Sequence, residues 1–437
     1  VSSEAFALHA WSMLTAATVS ASCALVGTLL VVRRMSLLGD AIAHAVLPGI
    51  VVGVLAGGRL GGPLVLAGAV VAALLTVGLT RGLRAAVGLA EDAGSGVVFT
   101  TLFAAGVVMI SLFASRVDLD PECVLFGILE LAAFDVVSVG GMELPRALLS
   151  ALVVLVIVAG GLAATWQLQV STAFDQAAAA AAGVPVAAVT TGLLALTAVA
   201  TVAGFEAVGA VLVVAMLVVP AATAELLVRR MHQVALVAVA VAVVAAGLGW
   251  LAAWKLNTSA AGMIAVVLGG FYAAAVVLAP ADGLLARLVR QLALDWRVAR
   301  EDWLARIWRA GELAGAAGAS VPRPRPRTSL ERTAAVWLRL SGRVNRSAGK
   351  VSLSPAGARE AETVVRSHRL WETWLGRHAD LPVDHLHPPA EWVEHHLGAA
   401  MRERIEAELT EGEADPHGRE IPPEAAPRDR GADRPGE

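Results

Sequence analysis

Asp40 and His44 stand four residues apart in RRMSLLGDAIAHAVLPGIVVGV, the otherwise apolar stretch from Arg33 to Val54. On a helix they share one face, a turn apart. A carboxylate oxygen and an imidazole nitrogen converging there suit a divalent transition metal. Each residue also has an ordinary reading, Asp40 as a helix N-cap and His44 as a satisfied core histidine. Glu206 follows Gly204 and precedes an apolar run broken by Pro220; it reads either as a pathway residue or as an interfacial one. Far down the chain Glu391, Glu394 and His395 can share a helical face, and His368 and Glu372 form an i,i+4 pair. That second set is either a metal site or a solvated helical surface.

The elements that must position these groups follow from composition. The chain has 437 residues, 57% of them hydrophobic and 16% charged, with a mean hydropathy of +0.68, which excludes an ordinary soluble protein and indicates an integral membrane protein. Apolar runs long enough to cross a hydrocarbon core of about 30 Å begin near Ala10, Ala41, Pro63, Gly94, Ala147, Val189, Ala207, Val234 and Ala260, the Val189 and Ala207 runs nearly merging across Gly204. About nine spans are expected, and the first is read as retained because it lacks a basic leader and a cleavage site. Small residues crowd these runs and allow close helix approach in lipid. Paired arginines (Arg33 with Arg34, Arg81 with Arg84, Arg229 with Arg230) and the Arg-rich region from Arg287 fall on one side, against single cations at Arg59, Arg116, Arg146 and Lys255 on the other. The positive-inside rule puts the N-terminus outside and the C-terminal body in the cytoplasm.

Four segments are expected: 1–281 in the membrane, 282–328 as an amphipathic helix, whose basic face suits membrane lipid or anionic partners, and a Pro/Arg linker, 329–418 as a second folded body, and 419–437 as a disordered tail rich in proline and charge. Cys23 and Cys123 supply neither a disulfide framework nor a zinc spacing and are read as inert. SVPRPRPRTS is a stiff stretch, either a solvated linker or a nucleic-acid contact. SLERTAAVWLRLSGRV reads as a helix ending at Gly342, and NRSAGKVSLSPAG as two short strands about a turn, the helix-then-wing ending of a winged-helix unit. SGRVNRSAGKV lacks the glycine spacing and hydroxyl of a phosphate-binding loop, so this chain is not expected to hydrolyse ATP.

RRMSLLGDAIAHAVLPGIVVG, DLDPECVLFGILE and FEAVGAVLVVAMLVVPAATAELL, recurring in order, resemble the signature stretches of the zinc/manganese/iron ABC permease family, over roughly Ala10 to Pro280. The resemblance implies a multi-pass permease in a bacterial plasma membrane, importing a divalent transition metal (Mn, Zn or Fe). It also implies a second permease subunit, a cytoplasmic ABC ATPase and an extracytoplasmic metal-binding protein. Asp40 and His44 then sit at the family's polar motif in the second span, with Glu206 less secure. A cytoplasmic coupling helix for the ATPase is implied too. AFDQAAAAAAGVPV, from Ala173 to Val186, fits it, with Phe174, Asp175, Ala179 and Gly183 as its docking residues, unless the segment simply begins the next span.

The tail resembles the diphtheria-toxin-repressor family of metal-dependent regulators, its manganese branch included, from Val351 to about Ile421. By that resemblance Asp302 falls at an N-terminal metal ligand, His368 at the histidine of the HRL motif, and Glu391, Glu394 and His395 at the ligands of the last metal-binding helix. Glu372 and His387 fall at positions of a second, ancillary metal. Glu391 stands where the iron branch has cysteine, which leans toward manganese; Ala305 stands where the manganese branch has a further acid. Between Glu312 and Ser329 the sequence is too proline-rich to pack the helices of a DNA-reading unit. The expected fold is therefore an all-α polytopic membrane protein followed by a mainly helical domain with a degenerate winged helix. The expected function is a metal permease subunit whose tail senses cytoplasmic metal and restrains transport. The alternative is a membrane-tethered, metal-dependent regulator that contacts DNA.

Overall fold

The computed structural model describes residues 3–36, 41, 44–57, 63–88, 91–113, 129, 133–139, 142–315, 319–379, 382, 385, 390, 393–409 and 414–423. The chain divides into two compact units, Val1–Arg287 and Leu288–Glu437.

The first unit is a bundle of apolar helices: α1 (Ser3–Val32), α2 (Leu47–Gly57), α3 (Pro63–Val87), α4 (Glu91–Phe113), α5 (Arg146–Phe174), the short α6 (Gln176–Ala181), α7 (Val186–Val208), α8 (Ala210–Leu227), α9 (Met231–Leu256) and α10 (Ala260–Leu278). A hairpin, β1 (Val136–Val139) and β2 (Met142–Pro145), precedes α5, with Val136 opposite Pro145. Seven of the helices among the described residues are long and apolar enough to cross a membrane, and α2 and the Leu64–Thr80 stretch of α3 are shorter apolar helices. Helix α1 packs against α5, α7, α8 and α9 and forms the centre of the bundle, with Cys23, Ala24, Val26, Leu29 and Leu30 fully buried. Its Thr15, Thr18, Ser22 and Thr28 hydroxyls each donate to the carbonyl one turn back, so those four hydroxyl protons are satisfied where water is absent.

Two helix boundaries are set by identifiable residues. The break between α7 and α8 lies at Gly209, whose φ of 83° suits a residue without Cβ, and not at Gly204, which stays helical. Near His44 the turn falls at Val46, and Pro48 sits in the first turn of α2, where its missing N–H costs nothing. Gly49 serves packing instead: a Cβ there would lie 2.2 Å from the Gly68 carbonyl oxygen, so α2 and α3 meet backbone to backbone.

The second unit is built on α11 (Leu284–Leu313), β3 (Val321–Pro322), α12 (Ser329–Leu340), β4 (Val344–Ser347), β5 (Lys350–Leu353), α13 (Pro355–His378) and α14 (Ala399–Glu408). Trp303, Leu304, Ile307 and Trp308 of α11 enter its core with Leu338, Val351 and Val365. Strand order is β3-β5-β4, all antiparallel, with Val321 opposite Val351 and Arg346 opposite Val351 on the other side. Thr328 caps α12 by accepting from the Glu331 N–H, and Ser354 caps α13 ahead of Pro355. The expected helix and wing are therefore present. Residues 319–328 hold no helix, only β3 and an extended arm in which Arg323, Arg325 and Arg327 are exposed and Pro324 and Pro326 half-buried, so the winged helix lacks its middle helix. The chain stays anchored beyond the boundary expected at Arg419: Glu420 bridges Ala414, its carbonyl accepts from Arg369, and the Pro422 carbonyl accepts from Arg366.

Candidate functional site

In the membrane unit two polar features stand out among the described residues, at His44 and at Arg33. His44 is half-buried, its ring 6.2 Å from Phe99 and 5.8 Å edge-on to Phe103, both on α4. Asp40 lies outside the described residues, and of Glu206 only its backbone place in the last turn of α7 is described. Sequence reasoning passed over the nearby hub at Arg33. Its guanidinium donates to the Gln169 side chain (2.6 Å), the Gln169 carbonyl (3.1 Å) and the Thr172 hydroxyl (2.6 Å) of α5, and to Thr190 of α7 (3.4 Å). All its acceptors are neutral, and they flank the segment read as the coupling helix.

That segment forms a helix of its own. Asp175 caps α6 by accepting from the N–H groups of Ala177 (2.8 Å) and Ala178 (3.0 Å). At the other end Gly183, with φ of 84°, turns the chain, its N–H bonded to Ala180 O and that of Val184 to Ala179 O, the double bond of a Schellman cap. Phe174 is 77% exposed beside it, Asp175 is exposed, and Ala179 is buried against the bundle.

The tail is the reverse case, a continuous run of interlocked donors. His395 sits with Nε2 3.1 Å from Asp302 Oδ1 and 3.5 Å from Glu394 Oε1, while its Nδ1 is 2.7 Å from Glu301 Oε2. Two ligands bound side by side on a metal at about 2.0–2.2 Å are themselves about 3.0–3.6 Å apart. His395 already stands at that separation from both Asp302 and Glu394, and the donor atoms of all three lie within 4.8 Å of one another. Glu301 fixes the other ring nitrogen, the outer-layer contact that orients a ligating imidazole. The residues present therefore fit a divalent ion.

A second group of this kind is Glu372, Asp415 and His417. Its Glu372 Oε2 is 3.9 Å from His417 Nδ1, and Asp415 folds the turn by accepting from the N–H groups of His417 and Arg419. His368 joins the two groups, Nδ1 2.6 Å from Glu394 Oε2 and Nε2 3.2 Å from Glu372 Oε1. Arginines balance the carboxylates: Arg309 is 3.4 Å from Glu394, and Arg369 is 2.6 Å from Glu312 and 3.5 Å from Asp415. Burial alone would lower the His395 pKa, but hydrogen bonds to Asp302 and Glu301 and the charge of Glu394 outweigh it and raise it to about 9. Burial works the same way on His368 and is likewise outweighed, there by Glu372 and Glu394, so its pKa is raised.

Of the residues singled out in the sequence, the fold brings together Asp302, His368, Glu372, Glu394 and His395; Glu391 and His387 lie outside the described residues. Glu301, Asp415 and His417 were missed. Adjacent acids in REDW and the Asp-Pro-His-Gly turn were their only signals, and neither spacing brings distant ligands together by itself.

The profile of the ABC 3 transport family matches residues 5–279, and that of the "Iron dependent repressor, metal binding and dimerisation domain" matches residues 354–423. The chain is 39% identical over 288 residues to the manganese transport system membrane protein MntD of Bacillus subtilis, covering 65% of this chain and 96% of that one. It is 36% identical over 286 residues to the zinc transport system membrane protein TroD of Treponema pallidum (65% and 78%), and 32% identical over 275 residues to the chelated iron transport system membrane protein YfeC of Yersinia pestis (63% and 87%). Among solved structures it resembles PsaBC from Streptococcus pneumoniae in complex with Fab, with a TM-score of 0.54 at 25% identity, covering 62% of this chain and 92% of that one. The chain belongs to the ABC 3 transport family.

Proposed function

We propose that this member of the ABC 3 transport family is the permease subunit of an ATP-binding-cassette importer for manganese, zinc or iron, and that its tail senses the metal it delivers. The observation that carries the reading is the family match over residues 5–279, together with relatives named for transport of those three metals. The permease pairs with a second permease subunit, receives metal from an extracytoplasmic binding protein, and is driven by a separate ATPase. The ATPase docks on α6, where Phe174 offers an exposed aromatic and the Asp175 and Gly183 caps hold the helix apart from the spans. The N-terminus is outside and the tail cytoplasmic. Asp40, His44 and Glu206 line the pathway, where binding must be weak enough to release the ion.

The tail holds metal through Asp302, Glu391, Glu394 and His395, with His368, Glu372, His387, Asp415 and His417 available to a second ion. A carboxylate at Glu391 favours manganese. Excess metal binds the tail, favours its paired form and restrains transport, which requires the metal to bind one conformation better than the other. Uptake of each metal by proteoliposomes holding the chain with its ATPase tests both parts. No chain-dependent uptake removes the permease reading; equal inhibition of intact and tail-deleted protein by internal metal removes the sensor.

The wing and α12 favour a second reading, a membrane-tethered DNA-binding regulator. Against it stand the absent middle helix and the exposed Val336 and Leu340 on α12. Sequence-selective, salt-dependent retention of promoter DNA by the purified chain would restore it.

A further inference from the structure

Helix α11 carries one apolar stripe that changes its use halfway along. In its second half Ala299, Trp303 and Ile307 are buried in the core of the second unit. In its first half the same face continues as Leu284, Leu285, Leu288, Val289 and Leu292, each between 50% and 57% exposed. Arg287, Arg290 and Arg297 lie on the opposite side and are exposed, and the exposed Asp295, seven residues past Leu288, marks the end of the aliphatic face. Five aliphatic side chains at helical spacing on one face and cations on the other make a strongly amphipathic helix, which no water-facing role requires.

The start of this helix is tied to the ends of the membrane helices. The last of them closes at Leu278, and a tight turn follows in which Gly283 N–H bonds to Ala279 O (3.0 Å). Asp282 in that turn is 2.5 Å from Arg229, two residues past the end of α8. A Cβ on Gly283 would meet Ala279 O at 2.4 Å, so the turn stays closed. Residues up to Arg287 belong to the membrane unit. The exposed stripe therefore begins at the level where two spans leave the hydrocarbon.

We propose that residues 284–297 form an in-plane interfacial helix whose occupant is the phospholipid bilayer: Leu284, Leu285, Leu288, Val289 and Leu292 insert at the boundary between headgroups and acyl chains, and Arg287, Arg290 and Arg297 remain in the headgroup layer and water. This is the arrangement adopted by amphipathic helices with an aliphatic face and an arginine-rich face, and long arginine stems reach headgroup oxygens from that depth. The stripe runs on through Trp296, whose ring lies 6.3 Å edge-on to Trp337 of α12. Arg300 and Arg343 stack on that same Trp337 ring at 4.7 and 5.2 Å. Lipid contact at α11 is thereby joined to the winged-helix remnant. The inference rests on the chain spanning a membrane and is independent of which ion the pathway carries.

The test uses the full chain in nanodiscs of phosphatidylcholine and phosphatidylglycerol, with Cys23→Ala, Cys123→Ser and an environment-sensitive fluorophore on a single cysteine placed at Leu288, Leu292 or Arg290. Lipid carrying a shallow doxyl group should quench the label at positions 288 and 292 severalfold more than at 290. Equal weak quenching at all three positions places the stripe in water and overturns the proposal. So does a label at 288 that is shielded from water without lipid quenching, or that cross-links to its counterpart in a second chain, since a protein would then cover the stripe. As a second measurement, Leu288→Glu with Leu292→Glu should speed amide exchange across 284–298 severalfold in nanodiscs while leaving 355–378 unchanged. Unchanged exchange at 284–298 counts against lipid docking.

Discussion

The membrane unit and the tail handle polar side chains in opposite ways. In the bundle several described polar groups are satisfied locally or by neutral partners: the Thr15 and Thr28 hydroxyls bond back to their own helix, Arg33 is held by neutral acceptors, and the His44 ring lies near two phenylalanines. In the tail the titratable groups are chained, with His368 and His395 each between two carboxylates and Glu394 and Asp415 each beside an arginine. On the proposed function, the difference follows from environment and purpose. Unpaired charge in hydrocarbon is costly, and a pathway that grips its ion cannot pass it on. A sensor needs several ligands held ready together, and a water-soluble fold can keep them charged by mutual pairing.

Experiments that separate the two regions sharpen the contrast. The largest effect is expected for Glu394→Ala, which removes the carboxylate shared by His395 and His368: metal affinity of the tail, read by titration calorimetry on the purified chain, should fall by more than about 100-fold, the upper range for lost metal-site contacts. Initial uptake into metal-free vesicles should not change, and a parallel loss of uptake would show the two regions to be one site. His44→Ala should do the converse, lowering initial uptake by about tenfold or more, a barrier change of about 1.4 kcal/mol, with metal retained by the tail as in the parent. Glu301→Gln leaves the ligands in place but loosens the His395 ring, so tail affinity should drop by about tenfold.

The smallest effect is that of pH. His395 has a folded-state pKa of about 9 against its usual 6.5. The stability it contributes to the metal-free tail is full below pH 6.5 and is lost as pH climbs through 9. Thermal unfolding of metal-free chain should therefore shift a few degrees lower across that window. Metal affinity should rise over the same range, because bound metal displaces the imidazolium proton. A metal-free tail equally stable at both ends would show that His395 is not charged in its carboxylate cage.

How much of this was legible beforehand varies with the range of the interaction. The spans could be read because twenty apolar residues in a row have one low-energy fate, and the α6 segment because Asp175 and Gly183 are local cap signals. Asp302 was reached only through family resemblance, and Glu301 not at all. Both lie more than ninety residues from His395, and no local pattern encodes such a meeting. Gly209 rather than Gly204 ends α7 because close packing of Gly204 against Val213 and Val19 keeps it helical, which is a tertiary fact. The Arg33 hub was overlooked because its pairing with Arg34 was read as a topology signal.

The amino-acid sequence alone determined that this chain is a multi-helix membrane protein with a folded, charge-rich tail, since hydropathy, cap residues and arginine asymmetry act over single helices and need no neighbours. The tertiary structure decided which of the tail's many acids and histidines converge, that Glu394 and His368 link two ligand groups, and that the aliphatic side chains in the first half of α11 stay exposed. Those outcomes depend on distances between residues far apart in sequence, set by how the elements pack.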